Sequence, residues 1–408
     1  MGSRPREGML GGMTPFLAGV AAMFASMYST QAILPDLGRA FQVSPSRSGL
    51  TISVVIFALA IGSWIWGPLS DRIGRRRSLV YSSTALIVPT AFLSFSPNFE
   101  TLLFLRTAQG LCMPGLLTVG VPYVTDTYAP RLGGKAMGLY TSALIAGSVT
   151  GRVGVALVTS VAGWRTALAL LAIMPTAAAV MMARTLPPEP SRPSPTQQRS
   201  QGRKIVALLG NRNLVAATIG GSALMFGFMG VCSYIPYRLE HPPFSLSQAA
   251  TSAIFGFWVL GLLTPSAGRL AYRFGWRKMA LITMGTCALG GALTLIPWLP
   301  AVAAGFGLMT VSNFAAVTTV QIGVGLSVDR DHGTATAIYY SVYYSVGALG
   351  AYLPGILWQS FGWRGVIAGS LGVYVVGAAA RVQHRRGRRA ARLTRPVDAR
   401  LNRARVAL

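Results

Sequence analysis

The stretch GPLSDRIGRRRS, residues 67–78, concentrates charge in a chain that has very little of it. Of the 408 residues, 52% are hydrophobic and only 11% are charged, and the mean hydropathy is +0.50. Soluble domains carry charge on about a quarter of their residues. The composition therefore predicts an integral membrane protein, in which the quoted stretch is a loop between two membrane helices.

Apolar runs long enough to cross a bilayer recur along the chain. A hydrocarbon core about 30 Å thick needs about 20 residues of helix. Twelve such runs are present, centred near Met23, Phe57, Leu86, Leu111, Ile145, Ala172, Met225, Phe257, Thr286, Thr310, Ser345 and Tyr374. A Pro- and Ser-rich stretch separates the sixth run from the seventh and has the composition of a disordered linker. We therefore predict an all-α membrane protein with twelve transmembrane helices.

The predicted domains follow from this division into six and six. An N-terminal six-helix bundle covers residues 1–182, a cytoplasmic linker 183–212, a C-terminal six-helix bundle 213–380 and a basic cytoplasmic tail 381–408. The first residues have the charge pattern of a signal peptide, but further spans follow them. We therefore expect an uncleaved first helix.

Lys and Arg residues predict the orientation. With both termini in the cytoplasm, all of them lie on the cytoplasmic side except those in predicted external loops (Arg39, Arg47, Arg165, Arg238, Arg364) and those inside helices (Arg106, Arg152). This distribution indicates a multi-pass membrane protein with both termini in the cytoplasm. The net charge of +26 could suggest nucleic acid, but many arginines lie in the tail beside the last helix. We expect contact with anionic lipid headgroups, no nucleic-acid partner and a monomer.

The two halves of the chain repeat each other. GPLSDRIGRRR at 67–77 returns as GRLAYRFGWRK at 268–278, and AGWRT at 162–166 returns as FGWRG at 361–365. Such repeats imply two pseudo-symmetric six-helix bundles around a site at the membrane midplane, as in alternating-access transporters.

On these motifs the chain resembles the major facilitator superfamily over nearly its whole length. The signature of that family between helices 2 and 3 is matched by Gly67, Asp71, Arg72, Gly74, Arg75 and Arg76, and RTAQG at 106–110 is similar to its helix 4 signature. FASMYSTQAILPDL and GSVTGRVG are similar to a bacterial drug-efflux and sugar-efflux branch. The chain departs from the antiporter signature of helix 5, which has Gly-Pro where this chain has Gly151-Arg152.

The quoted stretch predicts a gating loop. Glycines at Gly67 and Gly74 permit a tight turn and close backbone approach, and the arginines hold the loop at the anionic cytoplasmic face. The resemblance implies that Asp71 meets helix 11 when the cytoplasmic gate is closed. The alternative is that the basic run only sets the topology, and in the second repeat Tyr272 replaces the acid.

The resemblance also implies that helices 1, 4, 7 and 10 line a substrate cavity. The polar, methionine or aromatic side chains predicted to face the cavity are, for these helices in turn, Met23, Met27 and Gln31; Arg106, Gln109 and Met113; Phe226, Met229, Ser233 and Tyr237; and Asn313 and Gln321. Helical spacing places Gln109 and Met113 on the face of Arg106. Taken singly, such residues often only pack, but together they describe a mostly apolar pocket with a few polar groups.

Two arginines, Arg106 and Arg152, lie inside predicted membrane helices at similar depths. Charges at such depths are costly and indicate function. They could bind an anionic substrate group, or they could satisfy backbone carbonyls and side-chain amides, leaving a near-neutral pocket suited to lipophilic drugs. The residues themselves leave both interpretations open.

Carboxylates are missing from the predicted membrane interior, where proton coupling often uses one. Asp36, at the outer end of helix 1, is the first coupling candidate and Asp126, at the inner end of helix 4, the second. No clustered His, Asp or Glu suggests an enzyme, a metal site or a cofactor, and no phosphate-binding loop suggests ATP-driven pumping. We predict a secondary transporter that exports small organic or amphipathic molecules by proton antiport. An organic-anion carrier, a channel and a receptor are the alternatives.

Overall fold

The long helices of the described residues are numbered α1 to α12 in chain order, and shorter helices lie between some of them. The computed structural model describes residues 4–187, 201–328 and 332–393, and no strand occurs in these ranges. Single helices are α1 (Arg4–Tyr28), α2 (Pro45–Ile73), α3 (Arg75–Phe92), α4 (Phe99–Thr127), α7 (Arg212–Glu240), α9 (Trp276–Leu293) and α10 (Leu299–Gly325). The pair α5 and α6 forms Lys135–Thr185, and the pair α11 and α12 forms His332–Leu393. The remaining helix, α8, consists of Gln248–Ser252, the 3-10 segment Ala253–Leu263 and Thr264–Phe274.

Length and composition of these helices suit a bilayer. Eight helices of the described ranges are long and apolar enough to cross a membrane, and two of them, Lys135–Thr185 and Gly333–Ala379, are long enough to cross twice. Large apolar side chains such as Phe57, Ile65 and Phe104 are exposed, which suits a chain surrounded by lipid tails. The predicted fold class is confirmed.

Four glycines at the repeated motifs take backbone angles that side chains rarely adopt. Gly74 (φ 89°) joins α2 to α3, and Gly275 (φ 84°) joins α8 to α9. Gly163 (φ 80°) separates α5 from α6, and Gly362 (φ 58°) separates α11 from α12. The internal repeat therefore has a backbone cause, because each sharp helix-to-helix turn needs a glycine.

Gly67 does not have the steric role predicted for it. It lies inside α2 rather than at the turn, and a Cβ atom built on it would meet nothing within 4 Å. Gly74 alone makes the turn of this loop.

We expect Gly74→Ala to destabilise the protein by about 1–3 kcal/mol, because φ 89° with ψ 153° is a region open essentially only to glycine. Gly67→Ala is the matched control and is expected to leave stability unchanged or to raise it slightly, since alanine favours a helix. Thermal melting of both variants in detergent tests this. Equal melting temperatures would contradict it.

The two bundles meet along two helix pairs. The N-terminal helix α2 packs along α11, and α5 packs against α8. One main apolar core runs through both bundles and contains residues from nearly every helix.

Part of the predicted linker is helical. Its residues 188–200 lie outside the described ranges, but Gln201–Leu209 forms a helix before α7, which the prediction of a disordered segment missed. The basic tail begins as a continuation of α12 to Leu393, and residues 394–408 lie outside the described ranges.

Candidate functional site

Arg106 of α4 is completely buried and donates hydrogen bonds to the C-terminal end of α1. Its Nη1 and Nη2 donate to the carbonyls of Ser26 and Met27 at 2.7 Å each, and its Nε donates to the carbonyl of Thr51 at 2.9 Å. These two carbonyls of α1 lie in the last turn of that helix, which ends at Tyr28. Arg106 therefore supplies donors to carbonyls at the end of α1, and at Ser26 the hydroxyl of Ser29 adds another at 2.9 Å.

Gln109 completes this network. Its Oε1 accepts from Arg106 at 2.8 Å, and its Nε2 donates to Thr90 Oγ1 at the same distance. The shared face predicted for Arg106 and Gln109 is therefore present. Each guanidinium nitrogen of Arg106 has a protein partner, so this arginine matches the structural interpretation of the pair.

Arg152 of α5, also completely buried, has different surroundings. The rings of Tyr28 and Trp258 lie on it, each with its centroid 3.8 Å from the guanidinium carbon. Along the guanidinium edge, Nε donates to Gln31 Oε1 at 2.7 Å and Nη1 donates to the carbonyl of Ser148 at 3.0 Å. We call Tyr28, Gln31, Arg152 and Trp258 the arginine box.

Nη2 of Arg152 has no hydrogen-bond partner among the described residues. The nearby hydroxyl of Ser148 also has none. Buried donors without partners are rare and call for a specific explanation. The sequence places both arginines at similar depths inside membrane helices, but their surroundings in the structure differ.

A local change of helix type positions Arg152. Residues Thr150–Gly154 form a π-helical turn inside α5, a feature often found at functional sites. α1 approaches closely here, since a Cβ atom on Gly147 would lie 2.1 Å from the carbonyl oxygen of Ala21, and one on Gly151 2.2 Å from that of Ala25. Small residues thus bring α1 and α5 together, and Arg152 projects beside the contact.

The other predicted cavity residues divide into two groups. Met23, Met27, Met113, Phe226 and Met229 are buried in the apolar core. Gln31, Ser233 and Tyr237 instead join the bundles: Gln31 Nε2 donates to Ser233 Oγ at 3.2 Å, and the Tyr237 hydroxyl donates to the carbonyl of Leu34 at 3.0 Å.

The two predicted residues of α10 lie apart from the arginine box contacts. Asn313 is buried, and its Oδ1 has no hydrogen-bond partner among the described residues. Gln321 is exposed and bonds the hydroxyl of Tyr340 on α11.

Charged residues join the two bundles at the end of the molecule that holds the loop after α1, called the outer end after its predicted orientation. Arg39 binds Asp36 at 2.8 Å within its own bundle and Glu240 of α7 at 3.0 Å. Gln248 of α8 also donates to Asp36, at 2.5 Å. Asp36 is therefore part of a bridge between the bundles, which its sequence position alone did not show.

Further polar contacts close the outer end. The Tyr237 hydroxyl lies 2.6 Å from Ser48 Oγ of α2, and Ser53 Oγ donates to the carbonyl of Ala348 on α11 at 2.6 Å. The outer end is therefore closed in this structure.

The predicted gating loop lies at the opposite end. Asp71 and Arg72 are exposed there. Arg75 forms an ion pair with Asp126 of α4, and Arg76 donates to the carbonyl of Leu186 at 2.7 Å. The loop thus ties α3 to the ends of α4 and α6, and the pairing of Asp126 favours an ordinary helix-end charge over a role in coupling.

A cavity of about 540 Å³ lies at this same end of the C-terminal bundle, away from the arginine box. It is lined by the start of α7, the turn between α8 and α9 and the end of α10, and Arg277 on its wall donates to Asn213 at 2.8 Å. All of its lining residues belong to the C-terminal bundle, so the cavity is separate from the site between the bundles.

Sequence reasoning missed Tyr28, Trp258 and Glu240. A buried arginine predicts aromatic or acidic neighbours, but no pattern in the sequence says which distant residue supplies them.

Comparison with known proteins identifies the family. The model of the Major Facilitator Superfamily matches residues 16–260. The chain belongs to the major facilitator superfamily. It is similar to the inner membrane transport protein YnfM of Escherichia coli, with 31% identity over 86% of this chain and 84% of the relative. The uncharacterized MFS-type transporter YybF of Bacillus subtilis is 29% identical, over 86% of this chain and 88% of the relative.

Solved structures of other family members share the fold. A bacterial homolog of the human lysosomal transporter Spinster, inward-facing and occupied, superposes with a TM-score of 0.77 at 16% identity, covering 94% of this chain and 98% of that one. The nucleoside transporter NupG gives 0.72 at 14% identity, covering 90% and 98%. The chain is therefore a multi-pass membrane transporter for a small molecule and is not an enzyme.

Proposed function

We propose that this transporter exports small organic or amphipathic molecules by alternating access and proton antiport, as a member of the drug-efflux and sugar-efflux branch. It would work in the bacterial inner membrane with both termini in the cytoplasm and as a monomer. The domain limits 1–182, 183–212, 213–380 and 381–408 and the gating role of Asp71 belong to the same proposal.

The observation that carries the proposal is the bridge Asp36–Arg39–Glu240 with Gln248. Its members come from both bundles, so the bridge must break when the outer end opens. On opening, Asp36 loses the donor Gln248, and Glu240 loses Arg39. Opening to the outside therefore exposes both carboxylates to the external solution, which a proton antiport cycle requires of the groups that carry the proton.

An apolar interior supports amphipathic cargo. Trp258 lies between the bundles with the rings of Phe228 and Phe314 at 5.2 Å and 5.8 Å, and methionines of α1 and α7 line the same core. Mostly apolar surroundings with a few polar groups are typical of small-molecule sites.

We expect proteoliposomes loaded with acid to take up ethidium or 1-naphthalenesulfonate as protons leave, and we expect nigericin to abolish this uptake. Asp36→Asn should lower gradient-driven uptake at least 10-fold while exchange without a gradient persists, because the neutral amide cannot exchange a proton. A factor of 10 corresponds to about 1.4 kcal/mol of coupling energy.

Glu100→Gln is the matched control for this prediction. Glu100 is also an outer-end acid paired with an arginine, Arg47 at 2.6 Å, but both partners belong to the N-terminal bundle. Gradient-driven uptake by this variant should equal that of the unmodified protein. Uptake that ignores the pH gradient for both probes would refute antiport, and non-saturable flux without exchange would indicate a channel.

A further inference from the structure

Arg152 is a buried cation whose contacts are neutral. Gln31 and the carbonyl of Ser148 occupy Nε and Nη1, and the rings of Tyr28 and Trp258 lie against the guanidinium, tilted to each other with their centroids 6.2 Å apart. No carboxylate of the described ranges is bonded to it. Aromatic rings attract a cation but do not accept its in-plane N–H groups. An acceptor in the plane of the guanidinium is therefore missing at Nη2.

Arg106 shows what a purely structural arginine looks like in this protein. It has the same complete burial, yet every nitrogen donates to a carbonyl or an amide oxygen. The unfilled position at Arg152 is thus not a general consequence of burying arginine in this bundle.

The walls of the arginine box come from both bundles. Tyr28, Gln31 and Arg152 belong to the N-terminal bundle, whereas Trp258 belongs to α8 of the C-terminal bundle. Alternating access moves the bundles relative to each other. Trp258 must then leave the guanidinium face, and the box opens to whatever occupies the space between the bundles.

We propose that the arginine box binds the anionic group of an amphipathic aromatic anion, a carboxylate or sulfonate, with Arg152 Nη2 as the donor that only the substrate satisfies. Planar guanidinium groups suit such oxyanions because they present N–H donors in a fixed fork. The aromatic surroundings, Trp258 with Phe228 and Phe314, suit the apolar body of the same molecule. This inference rests on the proposed function for the transport step but not for binding.

The test compares 1-naphthalenesulfonate with the neutral 1-naphthalenesulfonamide, which has the same rings. We expect the sulfonate, and not the sulfonamide, to raise the melting temperature of the unmodified protein, since a ligand that binds only the folded state stabilises it. Arg152→Gln should weaken sulfonate binding about 10-fold to 100-fold, as expected for the loss of a hydrogen bond to a charged group. Arg152→Lys should retain part of the affinity.

Arg165→Gln is the matched control. Arg165 also lies over a tryptophan, Trp164 at 4.2 Å, and donates to a carbonyl, that of Ser96, but both partners belong to the N-terminal bundle. The affinity of the Arg165→Gln variant for 1-naphthalenesulfonate should equal that of the unmodified protein. Equal effects of sulfonate and sulfonamide on the unmodified protein would overturn the inference, and so would unaltered sulfonate binding in a folded Arg152→Gln.

Binding and transport separate the two proposals. Sulfonate binding that depends on Arg152 without gradient-driven uptake supports the arginine box and refutes the proposed antiport. Uptake of ethidium with no sulfonate binding supports the antiport and refutes the arginine box.

Discussion

Arg106→Ala is expected to lower the free energy of unfolding by about 3 kcal/mol or more, at roughly 0.6 kcal/mol for each hydrogen bond lost inside a membrane protein. The substitution removes five hydrogen bonds together, to the carbonyls of Ser26, Met27 and Thr51, to the amide oxygen of Gln109 and to the hydroxyl of Ser29. Two of these acceptors lie in the last turn of α1; the Ser26 carbonyl keeps the Ser29 hydroxyl as a donor at 2.9 Å, whereas the Met27 carbonyl loses the donor it has from Arg106. The measurement is thermal melting in detergent, with the yield of monodisperse protein.

The controls for this prediction separate geometry from charge. Arg106→Lys keeps the charge but can reach fewer acceptors, and we expect an intermediate loss. Arg47→Ala removes an exposed arginine paired with Glu100, and exposed pairs contribute only about 0–1 kcal/mol. If Arg106→Ala melted at the same temperature as Arg47→Ala, the buried network would have no role in holding α1.

The double substitution Gly147→Val with Gly151→Val is expected to have an effect of similar size. Each added side chain would overlap a backbone carbonyl of α1, at Ala21 or Ala25, and the backbone cannot swing aside as a side chain can. Overpacking costs roughly 1–3 kcal/mol at each position, so we expect a loss of about 2–6 kcal/mol for the two together. Separation of α1 from α5 would also pull Arg152 away from Tyr28.

Two other glycines of the same region provide the matched control. A Cβ atom on Gly138 would meet nothing within 4 Å, and one on Gly154 only Thr150 at 3.7 Å. Gly138→Val with Gly154→Val carries the same added volume and should melt within a few degrees of the unmodified protein. Equal destabilisation of the two double variants would mean that the close approach of α1 and α5 is not the cause.

Much of the fold could be predicted from the sequence. Each predicted centre of an apolar run lies within one of the twelve helices, because a bilayer requires about 20 apolar residues per crossing whatever the neighbours are. The tight turn at Gly74 was also predictable, since the required backbone angle is a property of one residue, and Gly275 takes the same angle in the second repeat. Gly67 was misread because the spacing of two glycines in a motif does not say which of them makes the turn.

The candidate site was predictable only in part. Arg106 and Gln109 share a helix face three residues apart, and their bond is local. The bridge of Arg39 to Glu240 and the stacking of Trp258 on Arg152 join residues far apart in the chain. Such partners depend on how the two bundles pack together, and the hydrophobic periodicity of the sequence does not predict that packing.

By itself, the sequence determined the membrane class, the number of helices, the twofold repeat and the presence of two intramembrane arginines. These properties follow from composition and local spacing. Only the tertiary structure decided that Arg106 is saturated by carbonyls while Arg152 keeps an unfilled donor, and that Asp36 belongs to a bridge. The physical reason is that hydrogen-bond saturation depends on the atoms of other helices within about 3 Å, and packing alone brings those atoms there.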